Sequence, residues 1–183
     1  HGRRPATQPR QVGDGGVILR EERPGDEVAI GAITAAAFAG KSYSDQTEPE
    51  IIERLRVAGA LDLSLVAEDD GEIVGHVAFS AVEIADGAGG WYGLGPVSVR
   101  PDRQGEGIGS ALIRRGLADL AGLGACGCVL VGSPKFYPRF GFRECRTLTY
   151  PDLPVEYFMY VLLRGEMPSG IVRFHPAFYG NAA

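Results

Sequence analysis

Three glycines stand at alternate positions in "RQGEGIGSALIRR", Gly105, Gly107 and Gly109, where an apolar helix is about to begin. A glycine inside a helix costs about 1 kcal/mol relative to alanine, so the cluster asks for a compensating role. A helix N-terminus carries unpaired backbone N–H groups and a partial positive charge. Residues without a Cβ leave those groups open to a phosphate. The pattern offers a phosphate cradle; a sharp turn with close helix–sheet packing and no ligand is the plainer alternative. A P-loop needs a lysine after its last glycine, and the chain has none between Lys41 and Lys135. A dinucleotide loop needs G-x-G-x-x-G directly after its strand. Here the spacing is G-x-G-x-G and the charged run "RPDRQ" intervenes.

Other residues could move protons. Tyr137 in "PKFYPRFGF" reads, from its neighbours alone, as a core tyrosine among Phe136, Phe140 and Phe142. His76, Glu83 and His175 are candidate bases, each read more simply as structural or surface residues. Acidic residues between positions 44 and 53 read first as a solvated helix face and second as an attraction for a cationic amine. Trp91 and Tyr92 fit equally an acceptor contact or a strand start in the core. The three cysteines, Cys126, Cys128 and Cys145, lack the C-x-x-C spacing of a zinc or redox pair. Buried reduced thiols are expected, in a cytoplasmic protein.

The elements that must hold these residues follow from periodicity and punctuation. "GVILREERPGD" predicts a strand ended by a turn, with Asp26 capping the helix "EVAIGAITAAAFAG" through Val28, Ile30, Ile33 and Phe38. "EPEIIERLRVAG" predicts a second helix with Ile51, Ile52, Leu55 and Val57 on one side, and "KSYSDQT" a loop between the two. "LSLVAEDDGEIVGHVAFSAVEI" predicts a hairpin turning at Gly71. "WYGLGPVSV" predicts a fourth strand, in which Pro96 removes a ladder donor and implies a bulge or an edge. A helix from about Ile108 to Ala121 and a buried fifth strand, "GCVLV", follow. "PKFYPRFGF" predicts a short helix or turn, "RECRTLTY" and "EYFMYVLL" two further strands, and "IVRFHPAFY" a terminal extended segment.

Length and balance suit one globular domain. Residues 1–16 are expected as a disordered tail, residues 17–183 as a single domain with a C-terminal extension from about residue 164. The net charge of −5 gives no basic face for nucleic acid. No apolar run reaches the roughly 20 residues of a membrane helix. The start at His1 reads as a trimmed beginning, without an apolar signal region.

Gln104, Gly107 and Gly109 fit the pattern [QR]-x-x-G-x-[GA] directly after the strand "PVSV". Together with "VLVGSPKFYPRFGF" at residues 129–142 and the order of elements, this resembles the GNAT superfamily of N-acetyltransferases over roughly residues 17–163. The full pattern, with "GLGPVSV" and "HPAF", is similar to its bacterial YhbS-like branch. The resemblance implies a mixed α/β GNAT fold. Its central, mostly antiparallel sheet would have six to seven strands, splayed at strands 4 and 5 and flanked by about four helices.

It further implies acetyl-CoA as cosubstrate, no metal, and direct acetyl transfer to a primary amine of a small molecule or peptide. A non-catalytic acyl-CoA-binding domain and a protein modifier are the other readings; members often dimerise, so a homodimer is an expectation. Carried over by position, Val97, Ser98 and Val99 would pair with the pantetheine arm. Gln104, Gly105, Glu106, Gly107, Ile108, Gly109 and Ser110 would hold the pyrophosphate, and the Glu106 side chain would point to solvent. Tyr137 would be the general acid for the departing thiolate. The fourth strand has no acidic residue where the family often places its base, so the base is open.

Overall fold

The computed structural model describes residues 16–180. Its main sheet has seven strands in the order β1-β2-β3-β5-β6-β9-β7. They are β1 (Ile18–Glu21), β2 (Leu63–Asp69), β3 (Glu72–Ala81), β5 (Trp91–Val99), β6 (Gly127–Val131), β7 (Arg143–Glu144) and β9 (Phe158–Leu162). All pairings are antiparallel except β5 with β6, which are joined by the crossover helix α3 (Ile108–Gly122). One face carries α3; the other carries α1 (Glu27–Phe38) and α2 (Glu48–Val57).

A second, three-stranded sheet was not anticipated. It contains β4 (Glu83–Ile84), β8 (Leu148–Thr149) and β10 (Gly170–Arg173) in the order β4-β10-β8. It covers the β5–β6–β9 region on the α1 side, where Val82, Ile84, Leu148, Val172 and Phe174 pack on Trp91, Val129 and Phe158. "RECRTLTY" therefore splits between two sheets, and "IVRFHPAFY" forms β10 and a 3-10 turn, Pro176–Tyr179. These strands are two to four residues long, too short to show a period of their own.

Among the described residues three α-helices form where about four helices were expected, because the segment after β6 closes only a 3-10 turn, Tyr137–Phe140. Asp26 does not cap α1 with its side chain. Its carboxylate instead pairs with Arg20 at 2.8 Å and accepts from the Arg23 amide at 2.7 Å, an ion pair outweighing the local cap. Val28 and Val57 are exposed, so α1 buries Ile30, Ile33, Thr34 and Ala37 and α2 buries Ile51, Ile52 and Leu55. Close approach of α3 to the sheet depends on missing side chains: a Cβ on Gly116 would stand 2.3 Å from the Phe79 ring.

Candidate active site

β5 carries the decisive irregularity. Leu94 pairs with Phe79 and Val97 with Val77, so Gly95 and Pro96 together oppose Ala78. This is the bulge expected near Pro96, and it reverses which residues face which side. Before it, Trp91 packs in the small-sheet cluster and Leu94 on the α3 side. After it, Val97 and Val99 pack on the α3 side, while Ser98 is buried and donates to Thr34 of α1 at 3.2 Å.

The same strand parts from β6. Trp91, Tyr92 and Gly93 pair with Gly127, Cys128 and Val129; beyond them β5 pairs only with β3, and β6 only with β9. Arg100 N–H bonds to the Val74 carbonyl at 2.9 Å. In an antiparallel ladder alternate residues face the partner strand, so Ser98 bonds towards His76 of β3. The main-chain groups of Val97 and Val99 point away from β3, into the opening. Two of the three residues expected to line the slot thus present their backbone to it, and Ser98 does not.

The opening leads to the glycine loop. Gly105 and Gly107 adopt φ of +81° and +85°, a region that disfavours any side chain. A Cβ built on either would meet nothing within 4 Å, so these glycines face open space. The first backbone bond of α3 is Ala111 N–H to Gly107 O at 3.0 Å, and no side chain caps the helix. The amides of Ile108, Gly109 and Ser110 precede that bond and stay bare. Ile108 is buried as a side chain and anchors the turn. The Glu106 carboxylate pairs with Arg103 at 3.1 Å, and Arg103 also holds Asp69 at 2.8 Å, so its charge is countered beside the helix mouth. Gln104 Nε2 donates to the Val99 carbonyl at 3.0 Å, tying the loop to the strand edge.

Tyr137 sits at the far lip, just past the end of β6. Its ring lies over Gly132, where a Cβ would come within 2.4 Å, and packs edge-on to Phe136 and Phe142 at centroid distances of 5.0 and 6.1 Å. Arg139 holds the turn, donating to the Phe136 carbonyl at 2.8 Å and stacking on that ring. Burial, with the nearby Tyr43 phenol adding to it, pushes the Tyr137 pKa up to about 12.

The candidate bases fare differently. His76 is fully buried; burial first, then the Arg56 charge, lowers its pKa to about 3, and its Nε2 lies 2.7 Å from Ser64 Oγ. His175 accepts from the Ala177 amide at 3.0 Å and caps the last 3-10 turn. Glu83 lies exposed on the small sheet. Trp91 is a core residue over Gly127, not an acceptor contact. The three cysteines are free, and burial raises the Cys128 pKa. Among the described residues no cluster of three His, Cys, Asp or Glu could hold a metal.

The Acetyltransferase (GNAT) domain family matches residues 61–144. The Escherichia coli (strain K12) uncharacterized N-acetyltransferase YhbS is 35% identical over 128 residues, 69% of this chain and 74% of that protein. The chain belongs to the GNAT acetyltransferases. A GNAT family acetyltransferase from Brucella melitensis, solved in complex with acetyl-CoA, superposes with a TM-score of 0.81 at 51% identity, covering 90% of this chain and 99% of that one. The E. coli YhbS structure in complex with CoA gives 0.82 at 30% identity over 94% and 95% of the two chains. The mixed sheet, the splay of its fourth and fifth long strands and the crossover helix of this acetyltransferase are those of the family.

Thr34 and the Gln104–Val99 bond are not legible in the sequence, because both depend on a contact across the fold.

Proposed function

We propose that this acetyltransferase binds acetyl-CoA in the opening between β5 and β6 and passes its acetyl group directly to a primary amine of a small molecule or peptide. One observation carries the reading: an unpaired stretch of β5, past a bulge, ends at the uncapped amides of α3. The pantetheine arm would lie along Val97 and Val99 as an added strand. The pyrophosphate would take the amides of residues 104 to 110, with the Ser110 hydroxyl beside it. The acetyl-CoA and CoA complexes of the two related structures support this placement. Residues 17–183 would act as one unit, the extension beyond residue 164 serving to wall the β5–β6 end of the sheet.

The chemistry divides among few groups. A main-chain N–H at Val97 or Val99 would polarise the thioester carbonyl, and one such donor is worth roughly 10²- to 10³-fold in rate. Tyr137, with its pKa near 12, is a phenol and not a phenolate at neutral pH. Tyr137 therefore serves as a hydrogen-bond donor to sulfur as the C–S bond lengthens. The attacking amine must be neutral, and an alkyl ammonium is neutral in only about one part in a thousand at pH 7.

The test is direct. Acetyl-CoA should raise the melting temperature, CoA should compete with it, and thiol should be released with members of an amine panel. No thermal shift at millimolar acetyl-CoA overturns the cradle. Tight binding with no thiol release from any amine overturns the enzymatic part.

A further inference from the structure

β5 carries no acid or base, and His76 is sealed behind it, so the group that unloads the amine must come from another element. The two helices on that face run antiparallel. Arg56, near the end of α2, reaches Glu22, just ahead of α1, at 2.7 Å, and Ile30 packs with Ile52 between these ends. One helical turn on from Ile30 along α1 comes Thr34, and one turn back from Ile52 along α2 comes Glu48, its first residue, so the antiparallel count sets these two positions at the same end of the pair. Thr34 accepts the hydrogen bond of Ser98, so this is also the level of the unpaired stretch of β5.

Glu48 shares its helical face with the buried Ile52 and Leu55. Ser44 donates to its Oε1. Its Oε2 is shut off from water and has no hydrogen-bond partner among the described residues. A buried charged oxygen without a donor is costly, and such a cost is retained where a ligand supplies the donor.

We propose that Glu48 receives the ammonium group of the acceptor and takes its proton. This rests on the acetyltransferase reading above. In the step, one proton passes from the ammonium to Glu48 Oε2. The neutral nitrogen attacks the thioester carbon, and the C–S bond breaks with its electron pair on sulfur. The extra proton of the acylated nitrogen passes to that sulfur, giving amide and free thiol, and Glu48 returns its proton to water. The other ionisable groups on the packed elements are Lys41, Tyr43 and Asp45 in the loop, Glu50, Glu53, Arg54 and Arg56 on α2, Glu27 at the far end of α1 and Tyr179 in the last 3-10 turn.

The experiment compares wild type with Glu48→Gln and Glu48→Asp on spermidine, phenethylamine and a lysine-containing peptide, following thiol release. Acetyl-CoA-induced thermal shifts serve as the control for folding and cofactor binding. Glu48→Gln is expected to keep the thermal shift and lose about 10²-fold or more in turnover at pH 7. That deficit should shrink by up to tenfold for each unit of pH raised, because the amine then neutralises itself. Glu48→Asp should retain more turnover than Glu48→Gln. Equal turnover of wild type and Glu48→Gln, a deficit that does not shrink with pH, or an Asp variant no better than the Gln variant overturns the proposal while leaving the acetyltransferase reading intact. A wild type silent on every amine overturns both.

Discussion

The Gln104 side-chain amide reaches back to the Val99 carbonyl at 3.0 Å, closing the glycine loop against the strand that feeds it. The bond fixes the loop over the slot while Gln104 itself stays exposed. A single hydrogen bond contributes about 0.5–1.5 kcal/mol net. Gln104→Ala should therefore weaken acetyl-CoA roughly two- to tenfold by calorimetric titration, with little change in melting temperature. Unchanged affinity would show that the bond is surrendered when cofactor enters.

Alanine at Gly107 and at Gly116 should lower the melting temperature alike and part only in acetyl-CoA binding. At Gly107 the new Cβ meets no protein atom but is forced into the left-handed region. That costs about 1–2 kcal/mol, and the Cβ stands among the amides meant for phosphate. The expectation is a melting temperature lower by roughly 2–8 °C and acetyl-CoA affinity lower by at least about tenfold. At Gly116 the Cβ collides with Phe79 at 2.3 Å. Overpacking of that kind costs typically 1–3 kcal/mol, so Gly116→Ala should melt earlier yet bind acetyl-CoA normally well below its melting point.

Tyr137→Phe keeps the ring that packs on Gly132 and removes only the hydroxyl. Turnover should fall by roughly 10- to 100-fold with the acetyl-CoA dissociation constant almost unchanged. Because the phenol stays protonated until about pH 12, no loss of activity between pH 7 and 10 should be traceable to Tyr137. Equal steady-state rates for the two proteins would remove the hydroxyl from the reaction.

His76 makes the fold sensitive to acid. Its pKa is near 6.5 unfolded and about 3 folded, lowered by burial. Below pH 6.5 the unfolded chain binds the proton and the folded chain does not, so stability falls as pH falls. The contribution is fully present above pH 6.5 and lost progressively down to pH 3, with a slope approaching about 1.4 kcal/mol per pH unit. Urea unfolding at a series of pH values should show this slope in wild type and a shallower one in His76→Gln. Parallel curves would assign the acid sensitivity to other groups.

Local pattern carried much of this protein. The glycine triplet, the Pro96 bulge, the Gly71 hairpin and the aromatic "FYPRFGF" turn are each written within a few consecutive residues. Each depends on forces that act over that range: backbone sterics, a missing N–H, a helix end. Asp26 was misread for the complementary reason. A cap is a local preference worth about 1 kcal/mol, and Arg20, six residues earlier, outbid it.

The amino-acid order by itself determined the long strands, the crossover helix and the bare amides at its mouth, because periodicity and glycine placement dictate those wherever the chain goes. Only the tertiary structure decided that Ser98 turns towards Thr34, that Trp91 and His76 disappear into packed layers, and that Glu48 Oε2 is shut off from water. Those relationships join residues far apart in the chain. They are set by which faces pack together, and no stretch of sequence contains both partners.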